Sequence, residues 1–144
     1  MVPRLSTRRS LDHPALPVEQ GIEAARESWL RFPPFELVMK IPDMAAHITR
    51  MVEGYSGWHW FHPGLGTNVD PPAIQRLAEI TSPTLILVGG ANHDDYFKVA
   101  DILEKGVLDA KKVIIPGAAH GLTLEKPQVF NEAVMDFLCD VATQ

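Results

Sequence analysis

Two loops of the chain carry side chains that could perform acid–base chemistry, and each loop follows a short apolar run. The first loop, GGANHDDYF, contains Asn92, His93, Asp94 and Asp95, and the second, PGAAHGL, contains His120. A carboxylate beside an imidazole fixes its tautomer and stabilises the imidazolium that forms when the ring accepts a proton. An aspartate of the first loop and His120 of the second would form half of an acid–base relay.

The same side chains also allow a purely structural interpretation. Asp94 or Asp95 would cap the helix that follows the first loop, since a carboxylate is favoured at the amino-terminal end of a helix. His120 would then be an ordinary turn residue. Residue types alone leave both interpretations open.

Alternating strands and helices after residue 70 predict that these two loops lie side by side. PTLILVGG and KKVIIPG are short continuous apolar runs, typical of strands buried on both faces of a parallel sheet. DDYFKVADILEKGV and KPQVFNEAVMDFLCDVA carry apolar residues at helical spacing. The order predicts an α/β fold with a right-handed crossover and adjacent parallel strands. Reactive side chains gather at the carboxyl ends of such strands, which lie only about 5 Å apart.

The first 69 residues predict helices and no strand. EQGIEAARESWLRF and PDMAAHITRMVEGYSG each carry apolar residues at steps of three and four, the spacing of an amphipathic helix. DPPAIQRLAEI then predicts a further helix with Asp70 as its N-cap. We therefore divide the chain into a helical segment, 1–69, and an α/β half, 70–144.

A parallel sheet of two strands would be incomplete. Sheets usually hold about five or six strands, and an apolar strand edge is normally paired or covered. We expect the chain to complete its sheet either as a homo-oligomer or with a complementing amino-terminal half.

Composition and charge restrict the other partners. The chain has 13 basic and 18 acidic residues, a formal net charge of −5, and no basic helix face, so we expect no nucleic-acid partner. We also expect no membrane association, because no apolar run approaches the roughly 18–20 residues of a membrane span. The single cysteine, Cys139, fits a reducing compartment and hence a cytoplasmic location, and we expect it to be buried in the last helix.

The histidine pair in WHWFHPG raises the question of a metal. His59 and His62 have the helical spacing of two ligands, but no third ligand is evident, and a site needs three or four. A metal-assisted enzyme using His59, His62 and His93 is one alternative. We favour packing of an aromatic cluster and expect neither metal nor cofactor.

The segment SPTLILVGGANHDDYFKVADIL, followed by KKVIIPGAAHGLTLEKPQVFNEAVMDFL, resembles the carboxyl-terminal part of an α/β-hydrolase. YSGWHW and the helices before it similarly resemble the cap of that superfamily. The resemblance implies a helical cap segment followed by the last two parallel strands and flanking helices of the hydrolase sheet. It also implies that His120 is the catalytic histidine and that Trp58, Trp60 and Phe61 line a substrate pocket.

Two departures from the hydrolase pattern qualify this resemblance. The usual acid position is occupied by Asn92, which could hold the imidazole through a hydrogen bond but could not stabilise its positive charge. Asp94 or Asp95 could reach in instead, and which of the three faces His120 stays open; Asp95 is slightly preferred because it matches a recurrent acidic residue of the family. The chain has no G-x-S-x-G nucleophile motif, and GYSGW is one residue short of it. We expect an α/β-hydrolase-type protein for a small ester-like substrate that is inactive alone. The alternative is a non-catalytic, oligomeric binding module.

Overall fold

The computed structural model describes residues 18–62 and 69–143. The first described range contains α1 (Ile22–Leu30), α2 (Pro42–Gly54) and α3 (Trp58–Phe61), with short 3-10 turns at Val18–Gln20, Pro33–Phe35 and Val38–Lys40. No strand occurs in 18–62, as the pattern predicts. The remaining 17 amino-terminal residues and 63–68 of the predicted helical segment lie outside the described residues.

A small apolar cluster holds the helical segment together. Pro42 and Asp43 open α2, where a missing N–H costs nothing and a carboxylate faces the positive helix end. One turn apart on that helix, Ile48 and Val52 are buried against Val38, which is fully buried. Partly buried side chains pack around these three: Trp29, Leu30, Phe35, Met39, Met44, Trp60 and Leu124.

The second range contains the predicted parallel pair. Strand β1 (Thr84–Gly89) pairs in parallel with β2 (Ala110–Ile115), and α4 (Asp94–Gly106) connects them. The register runs from Thr84 opposite Ala110 to Gly89 opposite Ile115, so the two carboxyl ends finish level. The α/β fold class, the crossover helix and both strand positions are confirmed.

One face of this sheet is packed by α4. Ile86 and Val88 of β1 are buried against Ala100 of α4. Lys112 of β2 points to the same face and forms ion pairs with Asp101 and Glu104 of α4. Since residues paired in a parallel ladder share a face, this packing fixes which side chains point towards α4.

Two expectations about the remaining elements are wrong. DPPAIQRLAEI forms two 3-10 turns, Ala73–Gln75 and Leu77–Glu79, and Asp70 caps no helix. Leu77 packs against Gly106 at the end of α4, so tertiary packing overrides the local helical spacing of this stretch. The last helix, α6 (Pro127–Ala142), forms as predicted but has no fully buried residue, and Cys139 on it is exposed.

Apolar side chains are exposed on β2 and α6. Ile114 is 47% exposed, Met135 57% and Leu138 51%. The expected burial of the second strand on both faces is therefore incomplete within the described residues. None of the described helices is long and apolar enough to cross a membrane.

Candidate active site

His120 lies in a tight turn that follows β2. Gly117 has a positive φ of 69°, a conformation that glycine adopts without strain, and the turn leads at Gly121 into the four-residue helix α5 (Leu122–Glu125). His120 thus sits beyond the carboxyl end of β2, where the crossover topology predicts a reactive side chain.

Hydrogen bonds hold three consecutive peptide groups around His120. The carbonyl of Ala118 accepts from the N–H of Ala91 at 2.8 Å, and the carbonyl of Ala119 accepts from Asn92 Nδ2 at 3.1 Å. On the other side, the carboxylate of Glu125 accepts from the N–H groups of Ala119 and Gly121. The peptide groups 118–119, 119–120 and 120–121 are each bonded, so the direction in which the Cα–Cβ bond of His120 leaves the backbone is fixed.

The end of β1 is in close contact with this turn. A side chain at Gly89 would overlap the carbonyl oxygens of Ala118 and Ala119. Gly90 donates to the carbonyl of Ile115 at 2.8 Å, which continues the ladder past the strand end. Glycine at position 89 therefore permits the close approach of the two loops.

The imidazole of His120 is exposed and lies between two aromatic rings. Its centroid is 5.2 Å from that of Tyr96 on α4 and 5.9 Å from that of Phe35 in the helical segment. Partial burial raises the pKa of the Tyr96 phenol above its ordinary value of 10.0. No residue in the described ranges hydrogen-bonds the imidazole, so its ring nitrogens are open to a further group.

The candidate acid residues lie at the end of β1 and the start of α4. Asn92 Nδ2 donates to the carbonyl of Ala119. Its Oδ1 is buried and has no hydrogen-bond partner among residues 18–62 and 69–143. Asp94 and Asp95 occupy the first turn of α4, with His93 at the N-cap position. Asp95 accepts from Lys98 at 2.9 Å, and this bond raises the pKa of Lys98. Neither aspartate hydrogen-bonds His120, so the assignment of the acid stays a prediction.

The predicted pocket residues lie on α3. Trp60 lines a half-open cavity of about 300 Å³ together with Trp29, Ile48, Met51, Val52 and Tyr55. Trp58 and Phe61 are 48% and 42% exposed and do not line that cavity. A chain of ring contacts connects the cavity to the His120 turn. The ring centroid of Trp29 lies 6.5 Å from that of Trp60 and 4.4 Å from that of Phe35, and Phe35 in turn contacts His120.

The histidines of α3 are engaged locally. His59 Nδ1 hydrogen-bonds the Tyr55 hydroxyl at 2.7 Å, and His62 Nδ1 bonds the carbonyl of Trp58 at 2.8 Å. The ring of His62 also stacks on Trp58 with centroids 4.7 Å apart. In the described part of the chain, no group of three or more histidine, cysteine, aspartate or glutamate side chains could hold a metal ion.

Two residues at the site were missed at the sequence level. Tyr96 directly follows the loop aspartates, and its position on the first turn of α4 was the available signal. Glu125 lies four residues after Gly121, one residue beyond the spacing of a capping box, and glycine lacks the side chain that such a box needs, so no local signal identifies it.

Comparisons with known proteins agree with this architecture. No family model matches the chain. A putative 2-succinyl-6-hydroxy-2,4-cyclohexadiene-1-carboxylate synthase of Bacillus subtilis is 27% identical over 78 residues, which are 54% of this chain and 28% of that protein.

The fold also matches a solved structure, that of MenH from S. aureus. It aligns with a TM-score of 0.73 and 24% identity over 85% of this chain, and the chain spans 47% of that structure. MenH is an α/β-hydrolase-fold protein, and the chain covers less than half the length of either relative. The chain therefore has part of an α/β-hydrolase fold, its helices and two-stranded parallel sheet corresponding to those of MenH.

Proposed function

We propose that the chain supplies His120 to a Ser–His–acid mechanism for hydrolysis of an ester or a related acyl compound. The observation that carries the proposal is the fixed turn beyond β2, which holds an exposed imidazole beside the end of β1. In this mechanism His120 removes the proton of a serine hydroxyl as it attacks the acyl carbon, and then protonates the leaving group.

The nucleophile of this mechanism comes from a complementing amino-terminal half or from a partner chain. The sequence contains no G-x-S-x-G motif, and the chain spans only part of the MenH structure that it matches. Within 18–62 and 69–143 no further strand pairs with either edge of the two-stranded sheet, and these edges offer a place for further strands. Asp95 or Asp94 would provide the carboxylate, and Asn92 would support the turn.

The helical segment acts as the cap over the completed site. Trp60 faces the cavity of about 300 Å³, at the small end of the range for ligand pockets, while Trp58 and Phe61 would contact substrate from the exposed face of α3. The name of the Bacillus relative describes a ring compound with a carboxylate and a succinyl group, so a carboxylate-bearing ring compound is the second substrate class to test.

The cellular setting is proposed from composition. One cysteine fits a cytoplasmic location, and the net charge of −5 fits an enzyme that binds neither nucleic acid nor membrane. The substrate is a small molecule, and a homo-oligomer or the complementing half is the expected protein partner.

Ester hydrolysis by the isolated chain tests the missing nucleophile. The chain alone should hydrolyse a p-nitrophenyl ester at the background rate, because His120 has no serine to activate. Turnover that disappears in His120→Ala but persists in His47→Ala would contradict this, since it would require a nucleophile within the chain. His47 is a matched control because it is exposed on α2.

A non-catalytic, oligomeric binding module is the second candidate. Two observations favour it: Asn92 stands where the family has its acid, and Ile114, Met135 and Leu138 are exposed. Size-exclusion chromatography with light scattering tests both candidates together. A stable, folded monomer would count against the obligate oligomer and against the need for a complementing half.

A further inference from the structure

Glu125 holds the backbone on both sides of His120 with a single carboxylate. Its Oε2 accepts from the N–H of Ala119, and its Oε1 accepts from the N–H of Gly121 at 3.2 Å. Hydrogen bonds from amides to a carboxylate are stronger than those to a neutral acceptor. The carboxylate therefore restrains the turn just before and just after the histidine.

The position of Glu125 is itself fixed by packing. Its neighbour Leu124 packs against the buried cluster around Val38, which anchors the short helix α5. A side chain at Gly121 would lie 3.3 Å from Cβ of Val38 and 3.0 Å from the Glu125 carboxylate, so glycine makes room for this arrangement. Glu125 is half-buried, and its carboxylate faces the turn rather than solvent.

Helix capping explains only one of the two bonds. A cap of α5 needs the bond to Gly121, the residue that precedes the helix. The bond to Ala119 reaches outside the helix, to a peptide group whose carbonyl is held by Ala91 of the other loop. The peptide group between Ala118 and Ala119 is thus held on both sides: its carbonyl accepts from Ala91 in the loop after β1, and its N–H donates to Glu125.

We propose that Glu125 is a positioning residue for His120. It does not touch the reacting atoms; it fixes the turn so that the imidazole projects between Phe35 and Tyr96 at the strand end. The value of that direction for catalysis rests on the proposed function, but the positioning itself does not, and it is measurable in the chain as it is.

Amide hydrogen exchange of the full chain tests the positioning, with Glu125→Ala and Glu125→Gln compared with the wild type. The alanine variant loses both acceptors, so exchange at Ala119 and Gly121 should accelerate about tenfold to a hundredfold. The glutamine variant keeps one acceptor oxygen, so one of the two amides should retain its protection. The ring resonances of His120 should shift in both variants, because the imidazole leaves the ring currents of Phe35 and Tyr96.

Glu132→Gln is the matched control, since it makes the same change on the exposed side of α6 and should alter neither amide. Unchanged exchange at both amides in Glu125→Ala would overturn the proposal. So would accelerated exchange with unmoved His120 ring resonances, because Glu125 would then be only a local cap. If the alanine variant does not fold, the glutamine variant decides by the same criteria. Activity that does not depend on His120 would defeat the proposed function alone.

Discussion

The carboxamide of Asn92 and the carbonyl of Ala119 join the two strand ends through a 3.1 Å hydrogen bond across 27 residues of sequence. The amide nitrogen must be the donor, because a carbonyl oxygen only accepts. A carboxylate could not make this bond. Asparagine at position 92 therefore has a structural reason in this chain: it holds the turn that carries His120.

Replacing Asn92 with aspartate tests that reason. At neutral pH Asn92→Asp removes the donor and sets a carboxylate against a carbonyl oxygen in a partly buried site. We expect the free energy of unfolding to fall by about 1–3 kcal/mol, the cost of leaving a buried polar group unsatisfied. Urea denaturation measures the change, and Asn131→Asp on the exposed face of α6 is the control. Equal or higher stability in Asn92→Asp would contradict the structural role.

The close approach at Gly89 predicts a steric effect. Gly89→Ala places a methyl group on the carbonyl oxygens of Ala118 and Ala119, so the turn must move or the strand pair must separate. We expect the free energy of unfolding, measured by urea denaturation, to fall by about 1–3 kcal/mol, the usual cost of overpacking. Gly54→Ala is the control: it meets nothing within 4 Å and should stabilise α2 by up to about 1 kcal/mol. A Gly89→Ala variant as stable as the wild type would show that the loops are not in contact.

The ion pair between Asp101 and Lys112 predicts a pH dependence of stability. The hydrogen bond from Lys112 lowers the pKa of Asp101, and the same bond raises the pKa of Lys112. The Asp101 contribution is present above its ordinary pKa of 3.8 and is lost as the pH falls through the lower folded value. The Lys112 contribution is present below its ordinary pKa of 10.5 and is lost as the pH rises through the higher folded value.

Thermal unfolding of the wild type and of Asp101→Asn across pH 2–7 measures the Asp101 contribution. The difference in Tm between the two proteins should be largest near neutral pH and should shrink as the pH falls below the ordinary aspartate pKa. A difference that stays constant over this range would show that the pair does not couple folding to protonation of Asp101. Because the pair is partly exposed, added salt should also reduce the difference.

The cavity beside Trp60 predicts binding of small apolar probes. Trp60 lines the cavity, whereas Trp58 is exposed outside it. Trp60→Leu should weaken binding of 1-anilinonaphthalene-8-sulfonate about tenfold. The indole ring lines one side of the cavity, and burying apolar surface against such a side chain contributes roughly 1.5–3 kcal/mol to the free energy of binding. Trp58→Leu should leave the affinity unchanged. Equal affinities for the two variants would contradict a pocket at Trp60.

Local patterns predict much of the α/β half. The apolar runs of β1 and β2 and the spacing in α4 are properties of short segments, so their positions follow from the sequence. DPPAIQRLAEI is different, because its apolar spacing suits a helix whereas the packing of Leu77 against Gly106, which no local pattern contains, accompanies the 3-10 turns. Exposure on α6 could not be predicted either: burial of Leu138 depends on what packs against the helix, and no local pattern contains that information.

The site shows the same division. Topology predicts that His120, which follows β2, lies beside the loop after β1, and the resemblance to α/β-hydrolases implies its catalytic role. Glu125 was not, because its partners are backbone N–H groups whose directions depend on the turn at Gly117. The structural role of Asn92 could not be predicted from the sequence either. Its acceptor is the carbonyl of Ala119, which comes close only because Gly89 has no side chain.

The most direct test of the account is a chimera in which this chain replaces the matched part of S. aureus MenH. The account predicts that the folded chimera has the activity of that protein's site, that His120→Ala reduces kcat by about 10³-fold or more, and that His47→Ala does not. A folded chimera without turnover, or turnover that His120→Ala leaves unchanged, would contradict the claim that this chain supplies the proton-transfer residue of a hydrolase-type site.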